Sequence, residues 1–525
     1  MTARRASFTL HGLLRAAADE RPDRVAVVHG DGGMTYEQLD AWSARIAAGL
    51  RDLGVEPGDR VAIAAEKTTA AIAALYGIMR TGAAYVPIDP MAPPLRAAGI
   101  IRDADCRAIC ADEGAGPLIA GWGEGSIPAT IGLTGDVPSA TIAWSDIAEL
   151  DPDPRIDGCE SDLAYILYTS GSTGVPKGVM LTHRNALSFV EWTVDRFGVG
   201  PDDRLSSHAP FHFDLSVFDI YGAALAGATL DLLTPGERTF GAEMTRAVAE
   251  RAITVWYSVP SALVLMCEAA GPHDLRSLRV VLFAGEVFPA KHLRTLRALV
   301  PNAVLANLYG PTETNVCTYH VVPDQLPDDD RPLPIGKSCE NQEVFALDET
   351  LKPVAQGDTG ELWVRGPTVM KGYWGDPERT AGVLQQNPLH DRFPDPAYRT
   401  GDLVRRMPGD VFEFLGRRDH QIKVRGYRIE LGEIESALVS HPAVREAAVV
   451  AIPDERAGAR LIGFVVAIEG VDELDLKRHC RDRLPRYMIP TSLEIRSELP
   501  HTSTGKVDRQ ALVSSVPAVE ARVTP

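Results

Sequence analysis

The chain has 525 residues, with 53 lysine and arginine against 71 aspartate and glutamate residues, which gives a formal net charge of −18. Its apolar share of 45% and charged share of 24% are those of an ordinary globular protein, and they exclude a mostly disordered chain or a small disulfide scaffold. Because the phosphate backbone of a nucleic acid repels so acidic a chain, we expect no general nucleic-acid binding.

The sequence contains no signal for a membrane or secreted protein. No stretch approaches the ~18 uninterrupted apolar residues of a membrane-spanning helix, and the N-terminus lacks the apolar run of a signal peptide. The seven cysteines are mostly far apart, which is typical of free thiols in a reducing compartment. We therefore expect a cytoplasmic protein without membrane contact. At ~150 residues per domain, the length favours three to four compact units.

The first part of the chain alternates between strand-like and helix-like segments. Residues 60–65 and 84–88 are apolar runs typical of strands, and residues 69–81 between them have helical apolar spacing. Strand, helix and strand at this spacing predict an α/β fold of parallel sheets covered by helices. Further strands of the same kind are predicted at 229–233, 253–257 and 279–283.

Two stretches depart from this alternation. Residues 113–162 are rich in Gly, Pro, Ser and Asp, and they are predicted to form loops between elements. Beyond about residue 340, short β segments with glycine-containing turns predict a small antiparallel unit.

A composition shift at residues 416–419 (GRRD) marks the start of a second, smaller domain. After it, a predicted helix at 429–439 and strands at 447–452 and 461–468 indicate an α+β unit. The predicted division is a core over 1–415, a connection over 416–420, a C-terminal domain over 421–513 and a loose tail over 514–525.

The sharpest local signal is the string YTSGSTGVPKG at 168–178, which follows an apolar strand-like run. Gly171 and Gly174 let the backbone turn tightly and present N–H groups, and Lys177 adds a positive charge. The string is not a Walker A loop, because Lys177 is followed by Gly178 rather than by Ser or Thr. Hydroxyl groups complete the predicted phosphate cradle: Thr169, Ser170, Ser172 and Thr173.

Together with other strings further along the chain, this loop resembles the signature of the adenylate-forming superfamily. That superfamily includes acyl-CoA synthetases, luciferases and peptide-synthetase adenylation domains. The resemblance implies a large α/β core, a mobile C-terminal domain and two half-reactions. A carboxylate first attacks the α-phosphate of ATP, and a thiol then attacks the acyl-AMP. The other matching strings are RTGAAYVPIDP at 80–90, FDLS at 213–216, NLYGPTET at 307–314, GELW at 360–363, YRTGDL at 398–403, GRRDHQIKVRG at 416–426, LPRYMIP at 484–490 and TSTGKVDR at 502–509.

By the same resemblance, several residues would surround ATP. The phosphate loop would hold the β- and γ-phosphates, and Glu313 would bind magnesium, for which a carboxylate oxygen is a suitable ligand. Asp402 would accept both ribose hydroxyls with help from Arg417, and Tyr309 would stack on adenine. The nucleotide would also be lined by the backbone of Asn307, Leu308, Tyr309, Gly310, Pro311 and Thr312.

The resemblance makes Lys506 the main catalytic residue. A lysine there would bridge the substrate carboxylate and the α-phosphate and would stabilise the charge that develops between them. Asp419 would be the hinge about which the C-terminal domain rotates between the half-reactions. After that rotation the loop from Lys423 to Gly426 would face the cavity instead of Lys506.

Asp214 is the residue that discriminates between substrate classes. In superfamily members that activate α-amino acids, an aspartate at this point of the FDxS string pairs with the substrate ammonium. Fatty and aryl acids have no ammonium, and a buried carboxylate without a partner would be costly. Asp214 therefore favours an amino acid, whereas Asp219, five residues later, does not match the motif position.

The rest of the predicted substrate pocket is apolar or aromatic. Asp214 and Lys506 match the two charges of an amino acid, and the bulky walls favour a compact, apolar side chain. The order of these residues resembles the pocket of stand-alone L-prolyl adenylating enzymes, which load proline onto a carrier protein for oxidation to a pyrrole. The predicted wall residues are Leu215, Phe218, Tyr257, Leu282, Ala284, Leu308, Val316 and Cys317.

Two other substrates remain open at this stage. The string APF before FDLSVFDIY also resembles D-alanine–carrier-protein ligases, although alanine would leave a hole behind Phe218 and Tyr257. A small-acid CoA ligase is the other alternative. A catalytically silent nucleotide-binding protein is a third reading, but its expected loss of the phosphate loop, Glu313 or Lys506 is not seen.

The acceptor thiol is expected to come from another molecule. Nineteen residues follow Lys506, too few for a carrier domain with its own prosthetic arm. We therefore predict that a separate carrier protein supplies a phosphopantetheine thiol, with coenzyme A as the alternative. Such a contact would be of the transient kind, close to the hinge.

Overall fold

The architecture of the chain is described by a computed structural model. The residues that it describes are 7–30, 32–122, 127–135, 137, 140–155, 158–171, 176–326, 331–418, 421–424, 426–454, 458–468, 470–501 and 507–516.

The first large sheet has parallel central strands and antiparallel strands at both edges. It contains the strands that were predicted at 229–233, 253–257 and 279–283, each within two residues of the predicted bounds. In spatial order the strands of this sheet are Lys337–Ser338, Thr318–Val321, Val304–Tyr309, Val280–Ala284, Val255–Ser258, Arg204–Ser207, Thr229–Leu232, Val25–His29 and Gly32–Thr35.

The second large sheet contains the two strands predicted near the N-terminus. They pair in parallel, with Ile63 opposite Pro87, and the strand that leads into the phosphate loop lies next to them. The predicted α/β fold of parallel sheets is therefore confirmed. In spatial order the strands are Gly372–Tyr373, Lys177–Thr182, Leu163–Thr169, Ala84–Pro87, Arg60–Ala64, Ala108–Ala111 and Ala129–Gly132.

The helix Thr69–Arg80 lies in the hydrophobic core that residues of both sheets share. Its N-cap is Thr68, whose side chain accepts a hydrogen bond from the Ala71 N–H. Gly82, with φ of +79°, follows the end of the helix. All of its residues from position 70 onward are buried. An alanine-rich helix that is apolar on every side fits this inner position.

The other helices of this part cover the sheets or cap their ends. They are Leu10–Glu20, Tyr36–Asp52, Pro94–Asp103, Gly116–Ala120, Trp144–Glu149, His183–Phe197, Ala223–Ala226, Gly241–Arg251, Pro260–Ala269, Ala290–Leu299 and Pro377–Val383, with a 3₁₀ turn at Glu113–Ala115 and a π-helical turn at Phe218–Gly222.

A smaller antiparallel sheet follows, as the glycine-rich β segments beyond residue 340 predicted. Its long strand Pro396–Met407 pairs with Thr359–Arg365 on one side and with Val411–Arg417 on the other. This hairpin sets Asp402 opposite Arg417. The remaining strands of the sheet are Glu343–Leu347 and Leu384–Gln386.

The C-terminal part combines short strands and helices around its own core. A hairpin of Gln421–Val424 and Tyr427–Glu430 is followed by a sheet in which Val444–Asp454 pairs antiparallel and Ser492–Arg496 pairs parallel with Gly458–Ala467. Its helices are Leu431–Val439, Glu473–Arg481 and Arg509–Ser515, with a 3₁₀ turn at Arg486–Met488.

Several element boundaries differ from those predicted. Residues 113–162 contain two short helices and the strand Ala129–Gly132, because parallel pairing with Ala108–Ala111 orders a segment whose composition resembles a loop. The predicted helix 429–439 begins at residue 431, because Ile429 pairs with Ile422 in a hairpin. The last helix extends to Ser515, past the predicted tail boundary at 514, because Leu512 is buried.

Among the described residues, no helix has both the length and the apolar character that crossing a membrane requires.

The buried side chain of His183 makes the stability of the N-terminal part sensitive to acid. Its Nδ1 accepts a hydrogen bond from the Leu10 N–H at 3.2 Å, which requires a deprotonated nitrogen. Burial lowers the pKa of His183 to about 4, with Asp162 opposing that shift. Between pH 4 and 6.5 the unfolded chain therefore binds more protons than the folded one, and the free energy of unfolding falls as the pH falls.

We predict that His183→Asn weakens this acid sensitivity. From the linkage relation, His183 removes about 2 kcal/mol from the free energy of unfolding between pH 7 and pH 5. Calorimetry at the two pH values should show a drop in Tm that is about 2 °C smaller for the variant than for the natural chain. An equal drop in both proteins would contradict the prediction.

Candidate active site

A cavity of about 680 Å³ lies at the carboxyl ends of parallel strands of the first sheet. Tyr257 and Ala284 reach it from the ends of two neighbouring strands, which is where α/β sheets place ligand sites. Residues from the C-terminal part border its other side. The predicted site residues along its wall are Asp214, Leu215, Tyr257, Ala284, Asn307, Leu308, Tyr309, Gly310, Pro311, Thr312, Val316, Asp402 and Arg417.

Asp214 lies at this wall, half-buried beside Leu215 and facing into the cavity. Burial raises the pKa of its carboxyl group, and the charge of Lys423 and the hydroxyl of Thr312 oppose that rise. The net direction remains upward, so the carboxylate is not fully compensated by its neighbours. A further cation near Asp214 would be stabilising.

Three of the predicted pocket residues lie behind the wall. Phe218 is fully buried, with its ring edge-on to Tyr257 at 5.9 Å between centroids. Leu282 is fully buried on the same strand as Ala284. Cys317 packs in a separate apolar cluster, and its N–H donates to the carbonyl of Tyr309. These residues support the wall, and thereby fix the positions of the side chains that face the cavity.

A hydrogen-bonded group of Tyr309, Asp402 and Arg417 borders the cavity at the smaller sheet. Arg417 Nη1 donates to Asp402 Oδ1 at 2.5 Å, and the Tyr309 hydroxyl donates to Asp402 Oδ2. Burial raises the pKa of Asp402, against the charge of Arg417. Arg417 and Tyr309 thus bind different oxygens of Asp402, and a carboxylate oxygen has two lone pairs, so each could also accept a ribose hydroxyl as the resemblance implies.

The predicted phosphate loop connects two antiparallel strands, Leu163–Thr169 and Lys177–Thr182. Ser172, Thr173 and Gly174 lie outside the described residues, whereas Thr169, Ser170, Gly171 and Lys177 are described. The Thr169 hydroxyl is buried and has no hydrogen-bond partner within the described part of the chain. Burial lowers the pKa of Lys177 to about 8, assisted by the charge of Arg428.

Glu313, the predicted magnesium ligand, is completely buried. Arg428 Nη1 donates to both carboxylate oxygens, at 2.8 and 2.7 Å, and Lys177 Nζ lies 3.2 Å from Oε1. The Tyr373 hydroxyl also donates to Oε1, at 2.7 Å. Burial alone would raise the pKa of Glu313, but the two cations outweigh it and hold the pKa far below its usual range.

In this arrangement the residues around Glu313 do not fit a magnesium ion. Such an ion needs anionic or carbonyl oxygens around it, but the charged side chains that the structure pairs with this carboxylate are Lys177 and Arg428, and both are positive. Across the described ranges, no three His, Cys, Asp or Glu side chains come together as a metal site. Glu313 could therefore bind a metal ion only if the Arg428 guanidinium left its carboxylate oxygens.

The cavity wall also carries charged groups for which the sequence analysis assigned no bonding partners. Burial lowers the pKa of Lys423, and the charges of Asp402 and Asp214 oppose that shift. Glu286, in the core string FAGEVF, is partly buried, and its Oε2 accepts a hydrogen bond from the Ser261 N–H at 2.9 Å. Lys423 lies in the matched string GRRDHQIKVRG, whereas no matched string included Arg428 or pointed to Glu286.

Gly426 shows how tightly this segment fits the core. Its φ is +79°, and a Cβ atom there would lie 2.3 Å from Val259 Cγ1 and 3.3 Å from Phe213 Cζ. Any side chain would therefore meet both strain and overlap. Next to it, Tyr427 packs on Phe213 and stacks on Tyr487 at 3.8 Å between ring centroids.

Two predicted residues, Lys506 and Asp419, lie outside the described residues. His501, which precedes the Lys506 segment, has its Nε2 2.8 Å from Glu446 Oε1. Lys423 and Gly426 border the cavity, and they belong to the loop that the resemblance would bring there for the thiol step.

Comparison with known proteins adds independent findings. Residues 14–374 match the family described as AMP-binding enzyme, and residues 433–506 match the AMP-binding enzyme C-terminal domain. An L-proline–[L-prolyl-carrier protein] ligase of Pseudomonas fluorescens is 42% identical over 522 residues, covering 97% of this chain and 99% of that protein. A ligase of the same name from Streptomyces coelicolor is 37% identical and covers 96% of both chains.

Among solved structures, the crystal structure of IdnL1 superposes with a TM-score of 0.78 at 30% identity, covering 95% of this chain and all of that one.

Proposed function

Because this chain belongs to the AMP-binding enzyme family, we propose that it activates L-proline with ATP and loads it onto a separate carrier protein. In the first half-reaction the proline carboxylate attacks the α-phosphate of ATP, which forms prolyl-AMP and releases pyrophosphate. In the second, the phosphopantetheine thiol of the carrier attacks the acyl carbon, which forms the thioester and releases AMP. The enzyme is thus an amino-acid–carrier-protein ligase.

The observation that carries the amino-acid substrate is the environment of Asp214. Its pKa stays above the ordinary value even with Lys423 nearby, so an ammonium group would find an undercompensated carboxylate. A fatty or aryl acid would bring no cation to this position, and the cost of the buried charge would remain. The secondary ammonium of proline supplies that cation.

The compact side chain follows from the apolar wall around Asp214. Tyr257 is held in place by Phe218 behind it, and Leu215, Ala284 and Val316 add apolar surface to the same wall. A small aliphatic ring suits this surface better than a polar side chain, which would lose its hydrogen bonds to water. Both full-length relatives described above are proline ligases by name, which favours proline over D-alanine or a small acid.

Further parts of the proposal come from the sequence. Lys506 would stabilise the α-phosphate charge during adenylation, and the C-terminal domain, residues 421–513, would turn about Asp419 relative to the core 1–415. The predicted hinge spans 416–420 and the predicted tail 514–525. Magnesium bound with ATP, a cytoplasmic location and later oxidation of the prolyl group to a pyrrole in secondary metabolism belong to the same proposal.

The substrate is tested by ATP–pyrophosphate exchange with a panel of amino acids and simple acids. We expect proline to give the highest kcat/KM, well above D-alanine and acetate. Asp214→Asn should lower kcat/KM for proline by about a hundredfold or more, since an unpaired buried charge costs about 3–5 kcal/mol. The matched control is Asp219→Asn, a buried carboxyl beside Lys67, for which we expect a change within a few-fold. Exchange with acetate as strong as with proline would contradict the proposal.

The two half-reactions are expected to respond to different residues. Lys506→Ala should abolish exchange while preserving most of the transfer of the prolyl group from added prolyl-AMP to the holo-carrier. The reason is that this lysine acts on the α-phosphate during adenylation. Equal losses in both assays would contradict the assignment of Lys506 to the adenylation step.

Gly426→Val should show the opposite pattern. A side chain at this position collides with Val259 and would keep the 421–430 segment away from the cavity. We expect the rate of transfer from prolyl-AMP to fall at least tenfold more than the rate of exchange. Single-turnover assays of both steps on the same preparation provide the comparison, and a larger loss in exchange than in transfer would contradict it.

A further inference from the structure

A buried lysine, Lys67, joins the two large sheets next to the segment that carries Asp214. It follows the strand Arg60–Ala64 of the second sheet, and its side chain reaches the end of the strand Arg204–Ser207 in the first sheet. Only 4% of its surface is exposed. Because an ammonium group has three hydrogens to donate and is costly to bury without acceptors, the partners of Lys67 show what it holds in place.

The acceptors of Lys67 lie in the stretch of chain just before Asp214. Its Nζ donates to the Ser207 hydroxyl at 2.6 Å, to the Ser207 carbonyl at 3.2 Å and to the Ala209 carbonyl. The same Nζ lies 5.5 Å from the ring centroid of Phe211, where a cation is attracted by an aromatic ring. Three alternate residues of one stretch therefore contact a single ammonium group.

This stretch leads directly to Asp214 through two turns. The Phe213 N–H donates to the Pro210 carbonyl at 3.0 Å, and the Val217 N–H donates to the Asp214 carbonyl at 3.1 Å. Hydrogen-bonded turns restrict the backbone on both sides of the aspartate. A shift of residues 207–211 would therefore move the Asp214 carboxylate as well.

Asp219 faces Lys67 from the other end of the same segment. It lies in the π-helical turn Phe218–Gly222 and is buried. Burial raises the pKa of Asp219, and the charge of Lys67 opposes that rise. The hydrogen bonds of Lys67 go to Ser207 and Ala209, so these bonds define the placement of the segment more than the charge of Asp219 does. This agrees with the small effect expected above for Asp219→Asn.

We propose that Lys67 is a positioning residue for substrate selection, which fixes the segment 207–214 so that Asp214 meets the ammonium group of the amino acid. The proposal rests on the proposed function, because it takes Asp214 as the group that binds this ammonium. Lys67 acts only through Asp214 and does not touch the substrate. Its loss should therefore weaken the preference for a cationic substrate and leave the binding of ATP intact.

The preference can be measured with tetrahydrofuran-2-carboxylate, which has the ring size of proline and an ether oxygen in place of the ammonium group. In ATP–pyrophosphate exchange we expect the natural chain to have a kcat/KM for proline about a hundredfold or more above that for the analogue. Lys67→Met should lower this ratio by about tenfold or more, with the KM for ATP changed by less than about threefold. Ser207→Ala removes only the hydroxyl acceptor and should lower the ratio by a smaller factor.

A double-mutant cycle separates positioning from a general loss of structure. If Lys67 acts through Asp214, Lys67→Met should change the ratio by less than about twofold in a chain that already carries Asp214→Asn. The matched control is Arg60→Met, at the other end of the strand that precedes Lys67. Arg60 is also buried and donates to the carbonyls of Ala104 and Asp105, both at 2.7 Å. Its loss should lower Tm without changing the ratio.

Equal losses for proline and the analogue in Lys67→Met would overturn the proposal, as would additive effects in the cycle. If Lys67→Met does not fold, Ser207→Ala and its cycle with Asp214→Asn decide the question, and an unchanged ratio in Ser207→Ala overturns the proposal. A ratio that falls in Asp214→Asn but not in the Lys67 and Ser207 variants overturns the role of Lys67 alone. A ratio that stays unchanged in Asp214→Asn overturns the proposed recognition of the ammonium group together with it.

Discussion

Glu313 is a carboxylate without exposed surface, at the point where the phosphate loop, the second sheet and the C-terminal segment meet. Away from water its charge is tolerable only beside a cation. The same constraint holds for Asp402, which Arg417 compensates, and in weaker form for Asp214. Each acid can bind a positively charged ligand group only where the protein has not already paired it with a cation. The pairing of these acids therefore determines which ligands suit the cavity.

These acidic residues lie on or next to strands and helical turns of the core. Asp402 lies on the long strand of the smaller sheet, opposite Arg417 in the neighbouring strand, so the ion pair follows from strand register. Glu313 follows the strand Val304–Tyr309, and Asp214 precedes the π-helical turn that carries Phe218. The cations at 423 and 428 come instead from a separate hairpin, whose only covalent link to the core is the short connection after residue 417. The charge balance of these acids therefore combines the core cations Arg417 and Lys177 with Lys423 and Arg428 of the hairpin.

The sequence predicted the features that depend on local pattern. The strands at 60–65 and 84–88 and the helix between them are confirmed, because their apolar spacing is long and unambiguous. Asp214 lies on the cavity wall as its place in the FDLS string suggested. The strand Ala129–Gly132 was missed, because pairing with a distant strand orders it rather than its own composition. No pattern in the sequence could show that Arg428 binds Glu313, since the contact joins residues 115 positions apart.

The predicted pocket residues also show what a sequence motif cannot establish about a site. Phe218, Leu282 and Cys317 match the expected pocket positions, but all three have no exposed surface. A motif identifies which positions surround a site without showing which side chains face the ligand. Phe218 still shapes the pocket, since Tyr257 can lie only where the buried ring allows. The buried side chains therefore support the wall from behind, and the side chains in front of them face the cavity.

Charge balance gives a physical reason for two half-reactions in one cavity. During adenylation the triphosphate brings several negative charges, which a metal and a lysine such as Lys506 could offset. In the described arrangement Lys423 and Arg428 face a wall that carries Asp214, Asp402 and Glu313. If these two cations were present together with the metal and Lys506, their mutual repulsion would oppose binding. Electrostatics therefore favours one set of cations at a time in this cavity, and under the proposed function a turn of the C-terminal domain would exchange one set for the other.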